Sequence, residues 1–216
     1  MPIKSPFKVA AVLALLSAAP FSFTYAAKTE VKEYTFDLAD IEKVNIHASV
    51  GSIHIIHTDS KKVSVVLEIR QQNRHWFSRD IDLDGVELQS NTRGKRLSLR
   101  QDDEDLNIDW TLELPTVAET SIELGVGKID GKLENTKVNI NLGVGEVELS
   151  MPVATTGEVN LKTGVGDATL HGGDSKHNSK RSFVSQEVEG NGSGNNNVNL
   201  KVGVGHILLS LENPKQ

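Results

Sequence analysis

A seven-residue phrase recurs five times in this chain: Asn45 to Gly51, Ser121 to Gly127, Asn139 to Gly145, Asn160 to Gly166 and Asn199 to Gly205. Four copies end in Gly-Val-Gly, and the first has Ser49-Val50-Gly51 in its place. Self-similarity of this kind marks a repeat architecture, in which each unit buries its apolar face only against its neighbours.

Within each copy apolar residues alternate with period two, as a half-buried strand requires. In the third copy Val138, Ile140, Leu142 and Val144 share one parity and are expected to point inward. The phase then slips, because Val147 and Leu149 fall on the opposite parity. The same slip follows every copy, so the second Gly must reset the pleat. Two geometries do this. A corner with Gly in a backbone region closed to side chains keeps the apolar face inward round a bend. Alternatively, Gly-X is the two-residue loop of a type II′ hairpin.

The Gly127-to-Gly145 interval is 18 residues and the Gly145-to-Gly166 interval is 21, which suits stacked coils. The expected fold is all-β: a solenoid resembling a right-handed parallel β-helix, with its asparagines stacked as an outward amide ladder. The copies lie near residues 44–56, 120–133, 138–149, 159–170 and 198–211. An antiparallel, hairpin-rich β-sandwich stays open as the alternative.

Residues 1–26 read as a signal peptide rather than part of the fold. Lys4 and Lys8 precede the apolar run Val9 to Ala19, and Thr24-Tyr25-Ala26 offers small residues at the cleavage positions. The remainder, 27–216, is expected to be a single β-repeat domain, exported to the periplasm or cell surface, with no membrane insertion after cleavage. Cleavage removes two of 23 basic residues and none of 29 acidic ones, which makes the net charge of −6 more negative by two. That balance argues against nucleic acid or anionic lipid as a partner. With no cysteine, a disulfide framework and a lipidated cysteine anchor are both excluded.

Between the copies, Tyr34 to Leu38, Val63 to Ile69 and Leu106 to Leu114 alternate as strands, the last with Trp110 inward and stopping at Pro115. Leu88 to Leu99 reads as a hairpin around Asn91 to Lys95, and Asp102 to Asp105 as a solvated turn. Trp76 and Phe77 sit in a polar stretch as an end cap or an exposed contact pair. An insertion, His171 to Asn197, can add a strand over Ser182 to Val188, with Gly- and Asn-rich loop at its ends.

The strand Trp110 to Pro115, followed by Gly-x-Gly repeats behind a signal peptide, resembles the bacterial β-strand-repeat "putative adhesin" family, the toastrack-type domains of unknown function. The resemblance covers roughly Glu33 to Leu211. It implies an extracytoplasmic, non-enzymatic domain, linked in some relatives to envelope stress, and it supplies no catalytic residues. Ser49 and the insertion after Leu170 depart from the usual repeat.

No residue set supports a catalytic or cofactor assignment. Asp80, Asp82 and Asp84, with Gly85, match the start of a calcium loop, but the twelfth position is Asn91 rather than Glu. The seven histidines show no zinc spacing and read as solvated. Position by position, the residues after the second Gly are Ser52, Lys128, Glu146, Asp167 and His206. Stacking in chain order puts Glu146 beside Asp167, the one carboxylate pair suited to acid–base work. The expected function is an envelope-associated binding or structural module whose partner is an envelope protein or surface glycan, with self-association at an open edge. A carbohydrate-directed lectin or enzyme and a calcium-dependent adhesin are the alternatives.

Overall fold

The computed structural model describes residues 29–38, 40–71, 83–173, 178–181 and 184–213. The signal-peptide reading, Trp76, Phe77, Asp80 and Asp82 therefore lie outside the described residues. Those described form twelve strands: β1 (Thr29–Asp37), β2 (Lys43–His57), β3 (Lys62–Gln71), β4 (Gln89–Arg93), β5 (Arg96–Gln101), β6 (Leu106–Leu114), β7 (Glu119–Lys132), β8 (Lys137–Pro152), β9 (Thr156–His171), β10 (Asn178–Arg181), β11 (Gln186–Asn191) and β12 (Asn196–Glu212). One mixed sheet joins them in the order β1-β3-β6-β2-β7-β8-β12-β9-β11-β10, with β5 on β2 and β4 on β5.

The five long strands are the five repeat copies, and they pair in parallel with one register. Gly51, Gly127, Gly145, Gly205 and Gly166 form a single rung. The hairpin alternative is thereby overturned for the repeats, because each strand runs on through its glycines instead of reversing there. Antiparallel pairing is confined to the additions at the two ends, β1, β3 and β4 at one and β10 and β11 at the other.

Connection length shows what the glycines do. A straight β8 of 16 residues would span about 50 Å. Yet only Val153 to Thr155 separate its end from the start of its parallel relative β9, a reach of about 14 Å. Each long strand must therefore fold back on itself, and the corner is at Gly-x-Gly. The connectors stack as well: Leu133 N–H donates to the Ser150 carbonyl (3.1 Å), and Val153 N–H to that of Glu212 (2.8 Å).

Residues before and after the corner bury into one core. In β8 these are Val138, Ile140 and Leu142 on one side and Val147, Leu149 and Met151 on the other. Val144, expected inward, is 46% exposed, and Val126, Val165 and Val204 match it. The parity expectation fails there because the chain turns its corner at Gly-x-Gly, where the second Gly takes a φ of 129–148° in the later copies, so the alternation is already lost at the residue between the glycines. The residue between the glycines is carried to the apex and points away from the core.

The Ser49 departure has a structural cause. At this position in later copies a Cβ would lie 2.5–2.6 Å from the carbonyl oxygen of the preceding strand. Strand β2 has no such neighbour, since β5 pairs as far as Ala48 and β6 begins at Gly51. A side chain is tolerated where nothing stacks against it.

The predicted hairpin forms as β4 and β5 around Gly94-Lys95. The strand ending at Pro115 forms as β6 with Trp110 buried. The insertion gives two short strands rather than one. Glu189 to Asn191, expected as loop, extend β11 along β9. The turn after it is held by Gly192 N–H to Gly157 O (2.9 Å) and Gly194 N–H to Thr156 O (2.7 Å). This segment caps the far end of the stack. Thr163, fully buried in β9, receives the Gln186 N–H on its hydroxyl (3.2 Å) and donates to Gly166 O (3.0 Å).

Candidate functional site

The register that aligns the glycines also aligns the outward residues of the strand halves before them. The first positions carry Asn45, Ser121, Asn139, Asn199 and Asn160, in spatial order. One rung of the expected amide ladder is direct, Asn199 Nδ2 donating to Asn139 Oδ1 (3.3 Å). Asn139 Nδ2 in turn donates to Glu119 Oε1 (3.0 Å). Two residues on lies a charged rung of His47, Glu123, Asn141, Lys201 and Lys162. Arg100 of β5 extends it beyond His47, and Glu187 of β11 extends it beyond Lys162. Next come Ser49 and the first glycines, almost bare backbone, and then the apex valines.

The face is thus polar, and the valine ridge bounds it on one side. Val50, Val126, Val144, Val204 and Val165 follow one another at strand spacing, so the ridge is about 19 Å long. At its β2 end lies an open groove of about 650 Å³, lined by His47, Val50, Glu104, Glu123, Val126 and Asn141 among others.

The spacing suggests solvated histidines, but among the described residues His47, His54, His57 and His206 each stand beside a carboxylate. His47 places Nδ1 3.0 Å from Glu123 Oε2 and Nε2 3.2 Å from Asp102 Oδ1. His54 Nδ1 is 2.7 Å from Asp130 Oδ2, and His206 Nδ1 is 4.0 Å from Asp167 Oδ2. These partners are 76 residues apart for His47 and His54, so linear spacing hides them. Alignment of the copies is the signal that finds them, since His47 and Glu123 hold the same position in successive copies. Lys43 Nζ meets Glu119 Oε2 at 2.7 Å, and this hydrogen bond, partly offset by burial, holds the Glu119 carboxyl below its usual range.

The Glu146–Asp167 pair does not form. Strand β12 is inserted between β8 and β9, so His206 stands between the two carboxylates. Asp167 is engaged by Arg181 instead. Of the three calcium-loop aspartates only Asp84 is described. It lies in a 3-10 turn, Leu83–Gly85, and its carbonyl accepts from Lys32 Nζ (2.7 Å). Among the described residues no group of three or more His, Cys, Asp or Glu is placed to hold a metal ion. No helix among them is long and apolar enough to cross a membrane.

The class so defined is an all-β repeat protein whose parallel strands turn in register at Gly-x-Gly corners and present one polar face with an apolar ridge. The chain belongs to the family described as the N-terminal domain of toast_rack, DUF2154, whose model matches residues 24–171. That match stops at the end of β9, leaving β10 to β12 beyond it. Among solved structures the chain is similar to a "putative cell adhesion protein" from Clostridium sporogenes, at 17% identity and a TM-score of 0.51, over 86% of this chain and 100% of that one. This likeness is one of fold. Weaker likenesses, on which nothing rests, are to a "putative adhesin" from Parabacteroides merdae (12% identity, TM-score 0.32, 58% of each chain) and to one from Bacteroides fragilis (12%, 0.26, 83% of this chain and 97% of that one). No curated protein matches the chain.

Proposed function

We propose that this chain is an exported, non-enzymatic, adhesin-like binding module of the bacterial envelope, with its repeats stacked as coils of a solenoid resembling a right-handed parallel β-helix. Residues 1–26 direct export, and residues 27–216 act at the periplasmic or outer surface on an envelope protein or surface glycan. The observation that carries the reading is the ridge of apex valines, four of them 46–47% exposed and all in register. Threonine has the same branched shape and comparable strand preference without the exposed apolar surface. Using valine at all five corners keeps an apolar line in water, and contiguous apolar surface of this kind marks contact sites.

The test is retention of labelled mature chain on intact cells. The wild type and a V126T/V144T/V204T variant are compared, each with and without chelator. Loss of retention in the triple variant, indifferent to chelator, supports the reading. Full retention by the variant refutes the ridge as the contact surface, and loss with chelator alone assigns the binding to a calcium-dependent mode.

A further inference from the structure

The outward face beside the ridge carries opposite charges at two of the three pairs of positions equidistant from its centre. Asn141 on β8 is its centre. One strand to either side are Glu123 and Lys201. Three strands to either side are Arg100 and Glu187. These two equidistant pairs therefore combine opposite charges. The intermediate pair is His47 and Lys162. Asp102, 3.2 Å from His47 and also engaged by Arg100, brings negative charge there for Lys162 to meet.

We infer that this face binds a second copy of the same chain, through a two-fold axis lying over Asn141 and parallel to the first half of β8. The inference rests on the binding reading above and names its partner. Such a dyad keeps strand direction and reverses strand order. It sets Glu123 against Lys201 of the other copy, Arg100 against Glu187, and the valine ridge against its own counterpart with Val144 facing Val144. A dyad along the strand order would instead set Glu123 on Glu123 and Lys201 on Lys201. Like charges in direct opposition cost several kcal/mol, so charge selects the first arrangement.

Three further features fit. Lys162, Lys201 and Glu187 make no ion pair among the described residues, so they are available to a partner. The column between the charges and the ridge is Ser49 followed by glycines, which lets two sheets approach closely. The charged rung carries one net positive charge, Arg100, Lys162 and Lys201 against Glu123 and Glu187, although the chain carries −6, so the general repulsion between copies is relieved where they would meet. The face measures about 29 Å by 20 Å from strand spacing and rise, roughly 600 Å² per partner, which is the lower end of the range for specific interfaces. Contact of this kind is isologous and closes on itself.

The experiment is sedimentation velocity on the mature chain across a concentration series, with Glu123→Lys, Lys201→Glu and the E123K/K201E double exchange. Each single exchange is expected to raise the monomer–dimer Kd by roughly tenfold or more through like-charge contact. The double exchange restores it, because the pair is rebuilt across the axis. Within one chain the two residues are two strands and about 10 Å apart, and an internal pair would not restore a concentration-dependent dimer. All positions are exposed, and thermal melts check that each variant folds. A chain that stays monomeric, a dimer indifferent to the single exchanges, or single losses without rescue each overturn the inference. A monomer that still needs its valines for cell retention would refute only the identity of the partner and leave the binding reading standing.

Discussion

Gly145 lies so close against Gly127 that a Cβ built on it would sit 1.7 Å from the Gly127 carbonyl oxygen, and its φ of 141° is one that side chains rarely adopt. The rung repeats this contact from Gly127 to Gly51 and from Gly205 to Gly145, at 1.6 and 1.8 Å. A single methyl group must therefore push two backbones apart. Gly145→Ala is expected to cost more than about 3 kcal/mol, in the range of named backbone lesions, and to unfold a marginal domain. Gly94→Ala is the contrast. Its φ of 57° is also left-handed, but nothing lies within 4 Å of its Cβ, so about 1 kcal/mol is expected. Urea denaturation of the two variants measures the difference, and similar losses would refute the close-approach argument.

The apex and the core exchange the roles that periodicity assigns them. Val144→Thr is expected to change stability by less than about 0.5 kcal/mol, because the side chain is already half in water. Leu142→Ala, two residues earlier and 3% exposed, is expected to cost about 2–5 kcal/mol through lost burial and a residual cavity. Equal midpoints in chemical denaturation for the two would contradict the corner geometry.

These two residues also mark how far the sequence can be read. Parity placed Leu142, Val147 and Leu149 on the core side, and the constant six-residue step from the start of each phrase to its second Gly was enough to align the glycines. Val144 was illegible, since a period-two pattern cannot say which of two glycines breaks the pleat. The place of β12 was hidden for a different reason. Each copy offers nearly the same edge to its neighbour, so Val198 to Gly205 would pair equally well beyond β9. What decides is the insertion: β11 occupies the outer edge of β9 in antiparallel register, and β12 takes the inner one, between β8 and β9. That single placement removed the Glu146–Asp167 pair and set the charge order of the outer face.

Thr163 stands where the other copies have Ala48, Leu124, Leu142 or Val202. Its buried hydroxyl joins β9 to the capping segment through Gln186, whose side-chain Oε1 also accepts the Ala168 N–H at 3.2 Å. Thr163→Val preserves shape but leaves the Gln186 N–H without this partner, at a cost of about 1–3 kcal/mol. The loss is expected to be local. Hydrogen exchange at Gln186 to Asn191 should accelerate while the amides of β7 and β8 keep their protection, and uniform acceleration would contradict a cap that opens by itself.

Acid stability follows from Glu119. Lys43 holds its folded carboxyl below the usual value near 4.5. A carboxyl depressed on folding stabilises the native state above its unfolded pKa, and the contribution is lost as pH falls through the folded value. The wild type is thus expected to lose stability on acidification from about pH 5 downward, as Glu119 and its Asn139 contact are neutralised. In Glu119→Gln that group no longer titrates, so its pH profile should be flatter over the same window and lower at neutral pH. The difference is on the order of 1 kcal/mol or less, because Lys43 is partly exposed and water screens the pair. Glu134, depressed by Lys132, shares the sign of the effect, so the comparison is made as variant against wild type at each pH. Thermal midpoints that fall in parallel for the two proteins would show that Glu119 contributes nothing to the acid limb.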